Sequence, residues 1–338
     1  MTNRRDFIKL GTLATVATLM PNFIACSDDK KAKSLTNSNA EELNMSKDLN
    51  VSVLNEFYTL NNGLKIPKLG LGLWRIENEK TPEVVQSAIK IGYRHFDSAQ
   101  SYANEQGLGL AINEALQEGF KREDFYITTK IRAEHKDYES ALKSIDESLE
   151  KLNLDYIDLI LIHSPQPWND FRGGDYSEGN VAAYKAQEKA LQEGKVRSIG
   201  VSNFKQKDLE NILQNCEIKP AVNQILTHIG NTDFDTIEFC KAQDILVEAY
   251  SPIAHGELLK DERLQDMAKK YGVSVPQLCI AYVLEIGVLP LPKSSKQAHI
   301  AQNAKVDFKI SNEDLETLKK IDFKNYGEHS YFPVFSGK

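Results

Sequence analysis

Cysteine is scarce in this chain of 338 residues. The four present, at positions 26, 216, 240 and 279, have none of the close spacings that metal sites need, and they are too few for a dense disulfide framework. Three of them are expected to behave as small buried apolar residues. Basic charge is not in excess either: 41 Lys and Arg stand against 48 Asp and Glu, a net charge of −7. A nucleic-acid surface needs a basic stripe, which this balance argues against. No internal run reaches the roughly 18 apolar residues of a membrane-spanning helix. No G-x-G-x-x-G turn joins a first strand to a helix, which weakens an open doubly wound sheet as the architecture. What is there, 41% apolar and 26% charged residues, suits one soluble globular domain.

The first residues are built differently. "MTNRRDFIKLGTLATVATLMPNFIACSDDKK" sets Arg4 and Arg5 before Phe7 and Ile8, then a moderately apolar run, then small Ala25 ahead of Cys26. A basic start, a short segment able to insert and a small residue that admits a peptidase occur here in the order of an export signal. The segment resembles a twin-arginine signal followed by a bacterial lipoprotein cleavage box. That resemblance implies cleavage before Cys26, lipidation of its thiol, and an exported protein of the periplasm or cell envelope held to a membrane. Phe23 stands where such boxes usually have leucine. Since one acyl chain binds membranes only marginally, anchoring would need the diacyl and N-acyl pattern of lipoproteins. Residues 27–54 are polar, lack a sustained apolar period and read as a flexible tether. The folded domain is then 55–338.

"FYTLNNGLKIP" reads as a hairpin around Asn62-Gly63. Beyond it, eight short apolar strands alternate with amphipathic helical stretches: 69–72, 93–97, 125–130, 157–163, 196–202, 221–224, 245–251 and 288–292. Thr81-Pro82 supplies a helix cap and a favoured first-turn proline, and Gly194 a stop. Strands separated by helices pair in parallel, because each crossover needs a helix. The expected fold is an α/β (β/α)8 (TIM) barrel with an N-terminal β-hairpin, in which chemistry gathers at the C-terminal ends of the strands.

Those ends are polar: Asp97, Lys130, His163, Ser202-Asn203, Gln224, Tyr250-Ser251 and Lys293-Ser294. A charged residue closing an apolar strand is costly unless paired or used. In "GYRHFDSAQSYANE" a tyrosine, Tyr102, follows the strand-end Asp97 closely. A free phenol with a pKa of about 10 is a weak proton donor near neutrality. An adjacent ammonium favours the phenolate. Lys130 is therefore expected to lower the pKa of Tyr102, with Asp97 orienting the lysine.

Four motifs, "GYRHFDSAQSYANE", "KVRSIGVSNF", "AYSP" and "LPKSSKQAHIAQN", carry a resemblance to the aldo-keto reductase family over residues 56–325. The resemblance implies a catalytic tetrad of Asp97, Tyr102, Lys130 and His163, in which Tyr102 protonates a carbonyl oxygen as hydride arrives and His163 positions that oxygen, and NADPH/NADP+ as cofactor, with NADH left open. It places Ser202, Asn203 and Gln224 on the nicotinamide carboxamide, Tyr250 and the neighbouring Ser251 against the nicotinamide, Lys293 and Ser294 on the 2′-phosphate, and Asn303 on adenine. His299 stands where the family usually has an arginine against that phosphate, which should weaken NADP preference. Ser164 replaces a common tryptophan and should open or polarise the substrate pocket, and Leu73 replaces a common threonine. Trp74, Tyr102 and His163 are expected to line the substrate, with Trp168 a further candidate. The expected activity is reversible reduction of an aldehyde or ketone by a monomer that needs no metal and binds no nucleic acid. The alternative is a non-catalytic nicotinamide- or ligand-binding barrel of the same fold, against which the intact tetrad counts.

Overall fold

The computed structural model describes residues 52–336 with residue 172 excepted. The expected signal, Arg4, Arg5, Cys26 and the tether as far as residue 51 lie outside the described residues. The final tether positions do not: Val53 and Leu54 are buried in the main core, and Leu54 lies against Gly92. The folded part thus begins before Asn55, because two apolar side chains close the polar stretch.

Strands β1 (Phe57–Thr59) and β2 (Lys65–Pro67) form the antiparallel hairpin. Its turn needs a left-handed residue, and Gly63 supplies φ +83. Leu60 and Ile66 pack on Tyr126, Val222 and Leu289, which open three of the barrel strands, so the hairpin plugs the N-terminal end of the barrel. Eight parallel strands follow: β3 (Leu71–Gly72), β4 (His95–Asp97), β5 (Tyr126–Ile131), β6 (Ile157–Ile162), β7 (Val196–Ser202), β8 (Val222–Leu226), β9 (Leu246–Tyr250) and β10 (Leu289–Leu291). Each pairs with its sequence neighbour. The ring closes where the N–H groups of Gly70 and Gly72 donate to the carbonyls of Pro290 and Pro292 at 3.2 and 3.1 Å. Proline has no N–H to return a bond across this seam.

The strands separate two apolar layers. Leu159, Leu161, Val222, Leu289 and Leu291 fill the inside of the barrel. Ile160, Ile162, Ile199, Val201 and Ile225 meet the surrounding helices. Burial on both faces is why "LILI", after Asp158, reads as an unbroken apolar run. The helix Thr81–Ile91 corrects one expectation: Thr81 is its first residue, not its cap, and its hydroxyl donates back to the Glu77 carbonyl at 2.9 Å. Gly194 takes φ +74 just past the helix Ser177–Gln192, as a stop should. Cys240 and Cys279 are buried, but Cys216 is half-exposed, so only two of the three cysteines expected in the core are enclosed there.

Candidate active site

A cavity of about 820 Å³ opens at the C-terminal ends of the strands. Asp97, His163, Ser202, Asn203, Gln224, Tyr250, Ser251, Lys293 and Ser294 all line it, as do Tyr102, His299 and Asn303. Lys130 lies beneath, fully buried. Its Nζ donates to both Asp97 oxygens at 2.8 Å, to the Ser98 carbonyl at 2.8 Å and to the Tyr102 hydroxyl at 3.3 Å. Burial opposes the charge of Lys130, but Asp97 and the phenol outweigh it, and its pKa lies above the ordinary lysine value.

Tyr102 sits on a single turn, Gln100–Tyr102, ended by Ala103 at φ +56. Two buried amides hold that turn. Gln100 donates to the Ser144 carbonyl and the Ser148 hydroxyl at 2.8 and 2.9 Å and accepts from Arg132 N–H at 3.0 Å. Asn104 donates to the carbonyls of Leu73 and Ile76 and accepts from the Ser98 hydroxyl. Sequence reasoning missed both, although two amides beside a candidate tyrosine were a readable signal. Burial, reinforced by Asp97 and opposed by Lys130, raises the Tyr102 pKa. The expected lowering is corrected: the ammonium moderates a rise that burial dominates.

The His163 ring stands edge-on to Tyr102, centroids 5.6 Å apart, and its Nδ1 lies 3.3 Å from the Ser101 hydroxyl. Burial, then Lys130 and Lys136, push its pKa well below the usual histidine range. The imidazole is therefore neutral and carries one N–H.

Along β7 to β9 the polar ends interlock. The Ser202 hydroxyl donates to the Gln224 carbonyl at 2.8 Å, Asn203 Nδ2 to the His163 carbonyl at 3.0 Å, and the Tyr250 hydroxyl to Asn203 Oδ1 at 2.6 Å. Asn203 and Ser251 hold left-handed φ of +63 and +52. The far end of the cavity is lined by Lys293, Ser294, Lys296, His299 and Asn303, and Asp97, already paired with Lys130, is the only carboxylate among the described lining residues. A cavity lined by Lys293, Lys296 and Arg75, with an aromatic face at Tyr250 and polar side chains from β7 and β8, fits a phosphorylated dinucleotide.

At the near end Trp74, Trp168, His255, His329 and Phe332 line the opening. Trp168 meets His163 edge-on at 5.5 Å and Phe332 at 5.0 Å. Ser164 and Leu73 are fully buried and do not reach the cavity. The expectation that Ser164 opens the pocket is thus corrected: its carbonyl accepts from Lys136 Nζ at 2.7 Å and its hydroxyl from Gln166 N–H at 3.2 Å, while Trp168 supplies the aromatic wall.

The model of the Aldo/keto reductase family matches residues 68–322. Glyoxal reductase of Bacillus subtilis is 41% identical over 277 residues, covering 81% of this chain and 95% of the relative. NADP-dependent D-sorbitol-6-phosphate dehydrogenase of Malus domestica is 37% identical, covering 79% and 94%. Among solved structures, the aldo-keto reductase of Bombyx mori in complex with NADP superposes with a TM-score of 0.74 at 31% identity, over 83% of this chain and 98% of that one. The aldo/keto reductase from Brucella melitensis gives 0.73 at 38%, over 79% and 98%.

Proposed function

The chain belongs to the aldo/keto reductase family, and from that premise we propose that it reduces an aldehyde or ketone with NADPH, Tyr102 delivering the proton. One observation carries the reading: a buried ammonium at the cavity floor bridges the Asp97 carboxylate and the Tyr102 hydroxyl. The dinucleotide, when bound, supplies the hydride. Charge that builds on the substrate oxygen is met by the Tyr102 O–H, and the proton moves from the phenol to that oxygen to leave an alcohol. The phenolate so formed lies beside Lys130, whose charge Asp97 sustains, and it regains its proton from solvent. Burial keeps the phenol protonated until that moment. His163, neutral, offers one N–H to orient the carbonyl.

In this reading Ser202, Asn203 and Gln224 hold the carboxamide and Tyr250 the nicotinamide face, with Ser251 beside it. Lys293, Ser294 and His299 meet the 2′-phosphate, and Asn303 the adenine. Trp74 and Trp168 flank the substrate. Tyr102→Phe is expected to cut turnover by about 10²–10⁴ while NADPH titration by fluorescence stays near wild type. A phenylalanine variant that turned over test aldehydes as fast as wild type would overturn the assignment.

We further propose that residues 1–26 direct export and that Cys26 becomes a lipidated N-terminus. Support comes from the order of Arg4-Arg5, apolar run, Ala25 and Cys26.

A further inference from the structure

The inside of a (β/α)8 barrel is ordinarily filled by branched apolar side chains. Here the middle of β9 carries Glu248, fully buried. A carboxylate shut from water is costly unless it is partnered or used. Its Oε2 accepts from Gln224 Nε2 at 2.9 Å, and Asp97 Oδ1 accepts from the same nitrogen at 2.9 Å. Its Oε1 has no hydrogen-bond partner among the described residues. The nearest basic group, His95 Nε2, lies 3.8 Å away. Burial, then Lys130, lowers the pKa of His95 to about 3, so that contact is not an ion pair.

We propose that Glu248 is a positioning residue for the dinucleotide: with Asp97 it captures both N–H groups of the Gln224 amide and so fixes Oε1 as the acceptor that Gln224 turns to the cavity. The reason is the donor inventory. An amide nitrogen has two hydrogens, and here one faces each carboxyl group. Turning the amide over would bring its oxygen against both groups, of which Asp97, held by Lys130, has no proton to give. The amide orientation is thereby set by chemistry rather than by packing. The inference rests on the reading of Gln224 as the carboxamide contact, since a carboxamide N–H is the donor that Oε1 would take.

The same contact gives a pH signature. Glu248 faces His95 and Asp97 on β4, Tyr126 and Lys130 on β5, and Gln224 on β8. Burial, then Asp97, raises its pKa to about 8, so near neutrality it is mostly protonated. As pH rises through about 8 it gains a negative charge close to the tetrad, which opposes phenolate formation at Tyr102.

The test compares Glu248→Met, Glu248→Gln and Gln224→Leu in the intact protein. Dissociation constants for NADPH and NADH are read by fluorescence titration, and kcat/KM for one test aldehyde is followed from pH 6 to 10. Glu248→Met is expected to weaken both dinucleotides by about tenfold, the scale of one hydrogen bond, because the carboxamide is common to both. Glu248→Gln keeps an acceptor for the same N–H, so it should restore affinity and remove the decline in kcat/KM near pH 8. Gln224→Leu should weaken both dinucleotides at least as much as Glu248→Met. Full affinity in Glu248→Met beside a weakened Gln224→Leu would overturn the positioning role alone. Full affinity in Gln224→Leu would overturn the carboxamide contact and the proposal with it. Should the methionine variant not fold, Glu248→Thr is titrated in its place, and full affinity for both dinucleotides in it beside a weakened Gln224→Leu would overturn the positioning role.

Discussion

At the cationic end of the cavity, the choice between two dinucleotides comes down to one phosphate. Lys293 is the residue proposed to pair with it. Burial and the nearby Arg75 lower its pKa, and an anion there would raise it again. Lys293→Ala is expected to weaken NADPH by about ten- to hundredfold, the scale of a charge-assisted contact, and NADH hardly at all. His299→Arg should sharpen the preference for NADPH, because a guanidinium fork replaces a ring. Fluorescence titration with both dinucleotides checks this, and equal losses for both in Lys293→Ala would place the lysine elsewhere. Such residues were legible because the fold brings every strand end to one mouth: Asp97 and His163 needed only their position at a strand terminus, whereas β8 runs on to Leu226 and Gln224 lines the cavity from inside the strand. Other residue properties were not. The direction of the Tyr102 shift depends on how completely the chain encloses the phenol. Glu248 in "LVEAY" looks like an ordinary polar position until the strand is closed into a ring. Ser164 looked like a gap because Trp168, which lines the cavity beside His163, comes from the loop beyond.

That loop is held from outside itself. Lys136, ahead of the helix Tyr138–Leu152, donates to the Ser164 carbonyl and to Asn180 Oδ1, both at 2.7 Å. Asn180 in turn donates to the Pro165 carbonyl at 2.9 Å, and Glu134 accepts from Trp168 N–H at 3.2 Å. One short segment therefore grips both the strand side and the helix side of the loop that carries Trp168. Lys136→Met is expected to raise KM for bulky aldehydes several-fold, leaving dinucleotide affinity unchanged. Burial lowers the Lys136 pKa to about 7. Its contacts are charge-assisted below that pH and weaken as pH rises through it, so wild-type KM for bulky aldehydes should climb from pH 6 to 8. Steady-state kinetics with a small and a bulky aldehyde separate the cases; identical KM changes for both would refute the loop assignment. The strands themselves were readable from apolar runs and turn residues. β3, β4 and β10 came out two residues shorter than expected, and at the seam between β3 and β10 Gly70, Pro290 and Pro292 make an incomplete ladder. No periodicity announces a lysine that reaches across from one connection to another.

For the whole chain, the barrel and its proposed address are separable. Residues 52–336 contain the cavity and its supports, so the protein without its first 51 residues is expected to fold and bind NADPH. Full-length protein in an exporting bacterial host should fractionate with membranes and incorporate radiolabelled palmitate. Cys26→Ser should lose the label, because only a thiol accepts the diacylglyceryl group, and exchanging Arg4 and Arg5 for lysine should leave the protein in the cytoplasm. A wild-type chain that stayed unlabelled, uncleaved and soluble there would end the export reading and leave the reductase reading intact. Fold class was legible at this scale from the alternation of strands and helices. The start of the folded part was not, since Val53 and Leu54 are two apolar residues after a long polar stretch.

The seam between β3 and β10 gives the ring an uneven stiffness. Elsewhere around the circumference neighbouring strands exchange hydrogen bonds in both directions, whereas across the seam Gly70 and Gly72 give and two prolines only receive. The ladder is thus thinnest at that joint, and the joint forms the wall at Gly72 and Lys293. Asp97 and Lys130 stand on β4 and β5, and Tyr102 and His163 on the segments that follow β4 and β6, away from the seam. Amide hydrogen exchange is therefore expected to be fastest along this joint, on the side proposed to take the dinucleotide phosphate, and slower on β5 and β6.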